Sequence, residues 1–326
     1  MRKKEKSPII PLMVYTFYQL IRTARPRQWL KNLSLFAAPI FAARLFDPDT
    51  FFLTSRAFIA FCLISSGSYF VNDIIDAKKD RLHPIKKNRP IASGRLSPVL
   101  ASIVAGAFIV AALIIGFNSV GTYFGLTLIA YIILQASYSL YFRNVIIMDS
   151  LVVATGFVLR VFAGGLASNT SISSWLALTT IGISLLLAFG KRRSEKTILS
   201  KYSPLQGEME TRKTLRHYPD NLLDSMISMS ATYTIITYSL FAFQISPSGT
   251  NDALLKILPS ILKSPKWMML TIPLVIYGIA RYLYVIYEKG EAESPERVLL
   301  SDKPLLFTVT FWGILTLLII FLIPDF

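Results

Sequence analysis

The chain has 326 residues, 53% of them hydrophobic and only 16% charged, with a net charge of +15. Soluble domains carry roughly 25% charged residues, so this balance excludes an ordinary globular protein. A lone cysteine, Cys62, excludes an internal disulfide framework and a cysteine-cluster metal site, and two histidines, His83 and His217, argue against a histidine-based zinc centre.

In chain order, residues 1–28 come first. Their basic start is followed by an apolar stretch that contains Pro8 and Pro11, ends at Arg22 and lacks a small-residue cleavage site, unlike a signal peptide. Val14, Phe17, Tyr18 and Ile21 fall at helical spacing with Gln19 and Arg22 off that face, which predicts an amphipathic helix lying on the cytoplasmic leaflet. A membrane-crossing helix needs about 20 mostly apolar residues. On that scale nine spans follow: 30–46, 51–71, 97–116, 121–141, 145–166, 173–190, 223–244, 267–287 and 304–323, the first short and carrying Pro39. With a cytoplasmic N-terminus, segments 1–31, 72–96, 142–144, 190–222 and 288–303 lie inside and hold most of the 34 lysines and arginines. That asymmetry is the positive-inside rule. Topology accounts for the charge, so nucleic acid is not an expected partner, and the chain is expected to be one multi-pass unit of the plasma membrane.

After the second span the sequence reads FVNDIIDAKKDRLHPIKKNRPIASGR. Asp73, Asp76 and Asp80 lie at i, i+3 and i+7, so a continuing helix puts all three on one face. Like charges there repel, and acids near a helix C-terminus oppose its dipole. Such an arrangement suits a cation. Oxygen-only ligands fit Mg²⁺, with Asn72 adding a carbonyl or orienting a carboxylate. The competing reading is a solvated loop in which Lys78, Lys79 and Arg81 neutralise the acids. Downstream, Arg81, His83, Lys86, Lys87, Arg89 and Arg95 lie among the helix breakers Pro84, Pro90 and Gly94. Cations beside a metal site are what a diphosphate requires, because guanidinium groups clamp phosphates.

Further along, Tyr138 and Arg143 end the fourth span and could close the same mouth. Asp149 and Arg160 lie on one face of the fifth span, at ~1.5 Å per residue ~16 Å apart, too far to pair directly. Ionisable residues inside a membrane are costly unless they face a cavity or a partner. Lys31 and Asn32 open the first span, and Lys191 and Arg192 end the sixth. Either cluster could hold phosphates or simply anchor a helix end.

Asn72-Asp73-x-x-Asp76-x-x-x-Asp80 resembles the first aspartate-rich motif of the UbiA superfamily of intramembrane prenyltransferases. RPRQWLKN (25–32), DRLHPIKKNRPIASG (80–94), DSLVVATGFVLRVFAGG (149–165), GKRRSE (190–195), YPDNLLD (218–224) and RYLYVIYEKGEAESPE (281–296) are similar to one branch, the decaprenyl-phosphate phosphoribosyltransferases. The resemblance implies an all-α bundle of about nine transmembrane helices around a central cavity open to the cytoplasm. It implies Mg²⁺-dependent transfer of 5-phosphoribose from phosphoribosyl pyrophosphate to a polyprenyl phosphate of the decaprenyl type, for a cell-envelope arabinose-lipid precursor. Metal would be held by Asp73, Asp76, Asp80 and Asn72. Asp149 and Arg160 would join the acids in catalysis. Lys31, Asn32, Arg81, His83, Lys86, Arg89, Tyr138, Arg143, Lys191, Arg192 and Asp224 would bind substrate. The expected partners are the two substrates and the bilayer, with a homo-oligomer left open. Asp220-x-x-x-Asp224 also fits the second acidic motif of the prenyltransferases, so transfer of a prenyl chain to an aromatic acceptor is the alternative. A transporter or flippase is the third reading, with no paired inverted repeats to support it.

Overall fold

The computed structural model describes residues 12–82, 86–202, 218–246, 266–289 and 295–323. Among them the chain is helical, with turns between the helices and no strand. Helix α1 (Leu12–Ala24) is followed by a 3₁₀ segment, Pro26–Phe36, and a short α2 (Ala37–Phe41). The long helices are α3 (Pro48–Ile75), α5 (Pro98–Ile115), α6 (Thr122–Leu140), α7 (Met148–Ser168), α8 (Ser174–Tyr202), α9 (Asp220–Ile245), α10 (Ile272–Tyr284) and α12 (Lys303–Leu322). Short α4 (Ala77–Leu82) and α11 (Pro295–Ser301) lie between them.

Several starts are written locally. Pro98 opens α5 behind Ser97, whose Oγ accepts the Leu100 N–H at 3.2 Å. Asp302 caps α12 by accepting the Leu305 N–H at 3.1 Å, and its carboxylate also takes both arms of Arg281 at 3.0 Å. The intramembrane Arg281 is thereby paired.

Eight helical stretches among the described residues are long and apolar enough to cross a membrane. The ninth expected span, 30–46, is different. It forms the 3₁₀ segment and five-residue α2 in place of a regular α-helix, with Pro26 at its start and Pro39 inside α2. Proline removes backbone donors and blocks a continuous ladder. A 3₁₀ helix rises ~2.0 Å per residue, so the eleven residues Pro26–Phe36 cover ~22 Å.

Apolar residues face both ways, as in a lipid-embedded bundle. Leu35, Phe61, Phe124, Leu128, Tyr131 and Ala163 pack one core, and Leu186, Phe189, Leu223, Ile227, Ile279 and Tyr282 another. Outward, Val99, Ile103, Val110 and Ile114 line one exposed stripe of α5. Regular helices suit such a solvent because their backbone groups are satisfied internally. Helix α1 buries Gln19, Thr23 and Ala24 against the bundle and leaves Met13, Val14, Phe17, Tyr18 and Ile21 exposed.

Candidate functional site

The acidic motif straddles the break between α3 and α4. Asp76 terminates α3 with helical φ and ψ, its N–H bonded to the Asn72 carbonyl at 2.9 Å, and the Asp80 N–H returns to the Asp76 carbonyl at 2.8 Å. The turn of helix therefore continues almost unbroken through the motif. Asp73 and Asp80 are buried and converge on one nitrogen, Arg89 Nη1, at 3.1 and 2.7 Å. Asp76 instead accepts from Arg143 Nη1 at 2.9 Å, on the 3₁₀ turn Phe142–Asn144. Arg25 Nη2 lies 2.5 Å from Asp73 Oδ1, with its guanidinium 4.9 Å from the Tyr69 ring.

The three acids are thus held by three arginines from separate parts of the chain, Arg89 serving both Asp73 and Asp80. Sequence reasoning passed over Arg25 as a site residue, although it stands in the quoted RPRQWLKN. Its backbone is left-handed, φ 55°, which an L-residue adopts at some cost and which turns the chain from α1 into the 3₁₀ segment. Arg89 is placed by its N–H bond to the carbonyl of Lys86, at 2.9 Å, and Arg81 donates to the Ala92 carbonyl at 3.1 Å, closing the same loop. Asn72 Oδ1 accepts from Ser139 at 2.8 Å. His83 lies outside the described residues.

A second network sits where α7 meets α8. Asp149 is fully buried, with Arg192 Nε 2.9 Å from its Oδ2 in an ionic contact that is not a directed hydrogen bond. Tyr218 donates to the other oxygen at 2.6 Å, and accepts the N–H of Ile147 at 2.5 Å. Ile147 has φ 69°, an outlier for a β-branched residue that this contact helps to hold. Burial, and then the bond to Asp149, push the Tyr218 phenol up to about 12. It therefore acts as a neutral donor across the ordinary pH range. Arg192 also reaches Glu195 at 2.5 Å and the Tyr138 hydroxyl at 3.1 Å, and Lys191 lies 4.0 Å from Glu195. The ion pair is buried, so Asp149→Asn should cost about 3 kcal/mol by leaving Arg192 half-compensated. The double variant Asp149→Asn/Arg192→Met should melt closer to wild type than Asp149→Asn alone, in detergent thermal melts.

Deeper along α7, the buried Arg160 donates from Nε to Asn32 Oδ1 at 2.8 Å, from Nη1 to the Gly156 carbonyl at 2.5 Å and from Nη2 to the Tyr131 hydroxyl at 3.0 Å. Lys31 forms an ion pair with the buried Glu296 at 3.3 Å, and Glu296 also accepts from Gln28. Glu296 and Gln28 were not singled out in the sequence, because nothing local shows that α11 returns to the start of the 3₁₀ segment. Asp224 meets Arg193 at 2.9 Å and Tyr287 at 3.1 Å, and Asp220 lies 2.9 Å from Lys196.

The donor set at the first motif fits a hard divalent cation. Two buried carboxylate oxygens, of Asp73 and Asp80, already share one cationic nitrogen, and the side chains of Asn72 and Asp76 on the same helix offer further oxygen donors. Among the described residues no three acids, histidines or cysteines are gathered as a metal cluster; Asp73 and Asp80 meet on Arg89 instead.

The fold is therefore a bundle of apolar spans with acids and guanidinium groups buried within it. Residues 32–191 match the UbiA prenyltransferase family. The chain is 31% identical over 310 residues to the decaprenyl-phosphate phosphoribosyltransferase of Corynebacterium glutamicum, covering 94% of this chain and 88% of that protein. It is 32% identical over 297 residues to the enzyme of the same name from Mycolicibacterium smegmatis, covering 90% and 89%. The fold is shared with a UbiA homolog from Archaeoglobus fulgidus bound to GPP and Mg²⁺, with a TM-score of 0.63 at 19% identity over 93% of this chain and 96% of that one. The chain belongs to the UbiA prenyltransferase family.

Proposed function

We infer that this membrane transferase moves 5-phosphoribose from phosphoribosyl pyrophosphate to a polyprenyl phosphate of the decaprenyl type, with Mg²⁺ as its metal. The observation that carries the reading is the alternation of Asp73, Asp76 and Asp80 with Arg25, Arg89 and Arg143, oxygen donors for a cation interleaved with guanidinium groups for phosphates. The names of the two actinobacterial relatives supply the donor and acceptor classes. Asp73, Asp76, Asp80 and Asn72 would hold the metal, which when bound neutralises charge on the diphosphate. Arg25, Arg81, Lys86, Arg89, Arg143 and Lys191 orient the donor's phosphates. An oxygen of the acceptor phosphate attacks the ribose C1, and the C1–O bond to pyrophosphate breaks. That oxygen is already ionised at neutral pH, so the chain need supply no general base. The exposed apolar face of α1 rests on the membrane surface, on the cytoplasmic side of the plasma membrane.

Ligand linkage tests the donor. Phosphoribosyl pyrophosphate with Mg²⁺ should raise the melting temperature of the purified protein by several degrees, and geranyl or farnesyl diphosphate should not. The prenyltransferase alternative draws on the spacing of Asp220 and Asp224, which here are engaged by Lys196 and Arg193. Protection by prenyl diphosphates, together with transfer to an aromatic acid, would establish that alternative and overturn the ribose-transfer reading.

A further inference from the structure

The geometry points to a second phosphate subsite, separate from the acidic mouth: Arg160, with Lys31 beside it, binds the phosphate of the lipid acceptor. This rests on the phosphoribosyl-transfer reading and assigns one of its two substrates to particular side chains.

Charge is the first ground. Lys31 and Arg160 flank the same ring, their cationic centres 5.9 and 5.7 Å from the Phe157 centroid. Glu296 answers Lys31. Arg160, only 5% exposed, has no carboxylate partner among the described residues, and its three hydrogen bonds all end on neutral oxygens. A buried cation with only neutral partners is costly, whereas an arriving anion compensates it. Hydrogen-bond capacity is the second ground. A guanidinium has five N–H donors, of which these bonds use three, leaving one on each terminal nitrogen for the paired oxygens of a phosphate.

Depth and surroundings decide whose phosphate it is. Asn32 meets α3 at Cys62 and Ser65, two turns or more before Asp73. At ~1.5 Å per residue the subsite therefore lies more than ~10 Å along α3 from the acids. The aromatic rings of Phe61, Tyr131 and Phe157 stand around the guanidinium at 5.9, 4.9 and 5.7 Å. A phosphate arriving on an apolar chain among the helices fits such walls better than a doubly phosphorylated sugar entering from water. The chemistry recognised is a phosphomonoester, which the donor's 5-phosphate shares, so the test must separate the two.

Arg160→Met and Asn32→Asp serve that purpose, with heat protection measured separately for polyprenyl phosphate, for the uncharged polyprenol and for phosphoribosyl pyrophosphate with Mg²⁺. Asn32→Asp places a carboxylate 2.8 Å from Nε and so neutralises Arg160 from within. It should melt higher than wild type yet bind polyprenyl phosphate about tenfold or more weakly, a combination that a merely structural arginine would not produce. Arg160→Met should lose the same ligand while keeping protection by phosphoribosyl pyrophosphate, and polyprenol should protect neither variant nor wild type. If Arg160→Met does not fold, Asn32→Asp alone decides. Undiminished polyprenyl phosphate binding in Asn32→Asp, or loss of donor protection in its place, overturns the assignment. A wild-type protein protected by neither substrate overturns the transfer reading, and the subsite with it.

Discussion

Asp73→Asn and Asp80→Asn should each lower turnover by more than about 100-fold, the scale of losing one charged contact in a water-poor site, while the protein still inserts and purifies. Asparagine keeps the size of the side chain and removes its charge. Because Arg89 contacts both acids, either variant leaves it one carboxylate, so the local fold survives. Asp76 is more exposed and has its own partner in Arg143, so Asp76→Asn should fall short of the other two. The shared arginine gives a second, sharper readout. Arg89 competes for the oxygens a cation needs, so Arg89→Gln should bind Mn²⁺ alone more tightly than wild type and phosphoribosyl pyrophosphate more weakly. Mn²⁺ titration followed by electron paramagnetic resonance measures the first effect and thermal protection the second. Wild-type turnover of Asp73→Asn and Asp80→Asn in excess EDTA would remove the acids and the metal from the mechanism together.

Hydropathy made eight of the nine expected spans legible, because a helix surrounded by lipid needs an apolar run of fixed length whatever it packs against. The segment 30–46, short and carrying Pro39, folds as the end of a 3₁₀ segment and a short α-helix, a form that hydropathy does not distinguish from a regular α-helix. The acids were legible for a similar reason, since helical spacing alone places Asp73 and Asp80 together. Their partners were not. Arg25 and Asp73 are 48 positions apart, Arg143 and Asp76 are 67 apart, and Gln28 and Glu296 are 268 apart. No periodicity spans such distances. Asp149 and Arg160 show the other limit: spacing puts both on one face of α7, but one is neutralised by Arg192 and the other by no carboxylate among the described residues. Only the packed structure separates those cases.

Gly164→Ala should be the most damaging small substitution in the bundle. A Cβ built at Gly164 on α7 falls 2.0 Å from the carbonyl oxygen of Leu35 and 2.8 Å from its Cα, backbone atoms that no rotamer change can move. The missing side chain is what lets the 3₁₀ segment lie directly on α7. That same contact sets the register of Lys31 and Asn32, which stand on the segment, against Arg160, one turn earlier on the helix. Overpacking costs about 1–3 kcal/mol where side chains can yield, so a backbone clash should cost ~3 kcal/mol or more. Melting should fall by several degrees, and the molecules that stay folded should bind polyprenyl phosphate more weakly. Gly313, on α12, has nothing within 4 Å of the same hypothetical atom. There alanine should leave melting unchanged or raise it, by up to about 1 kcal/mol of helix propensity. The pair separates a glycine required for close approach from one that is merely present. Equal melting temperatures for Gly164→Ala and Gly313→Ala would mean that the segment yields freely, and that its contact with α7 does not hold the site in place.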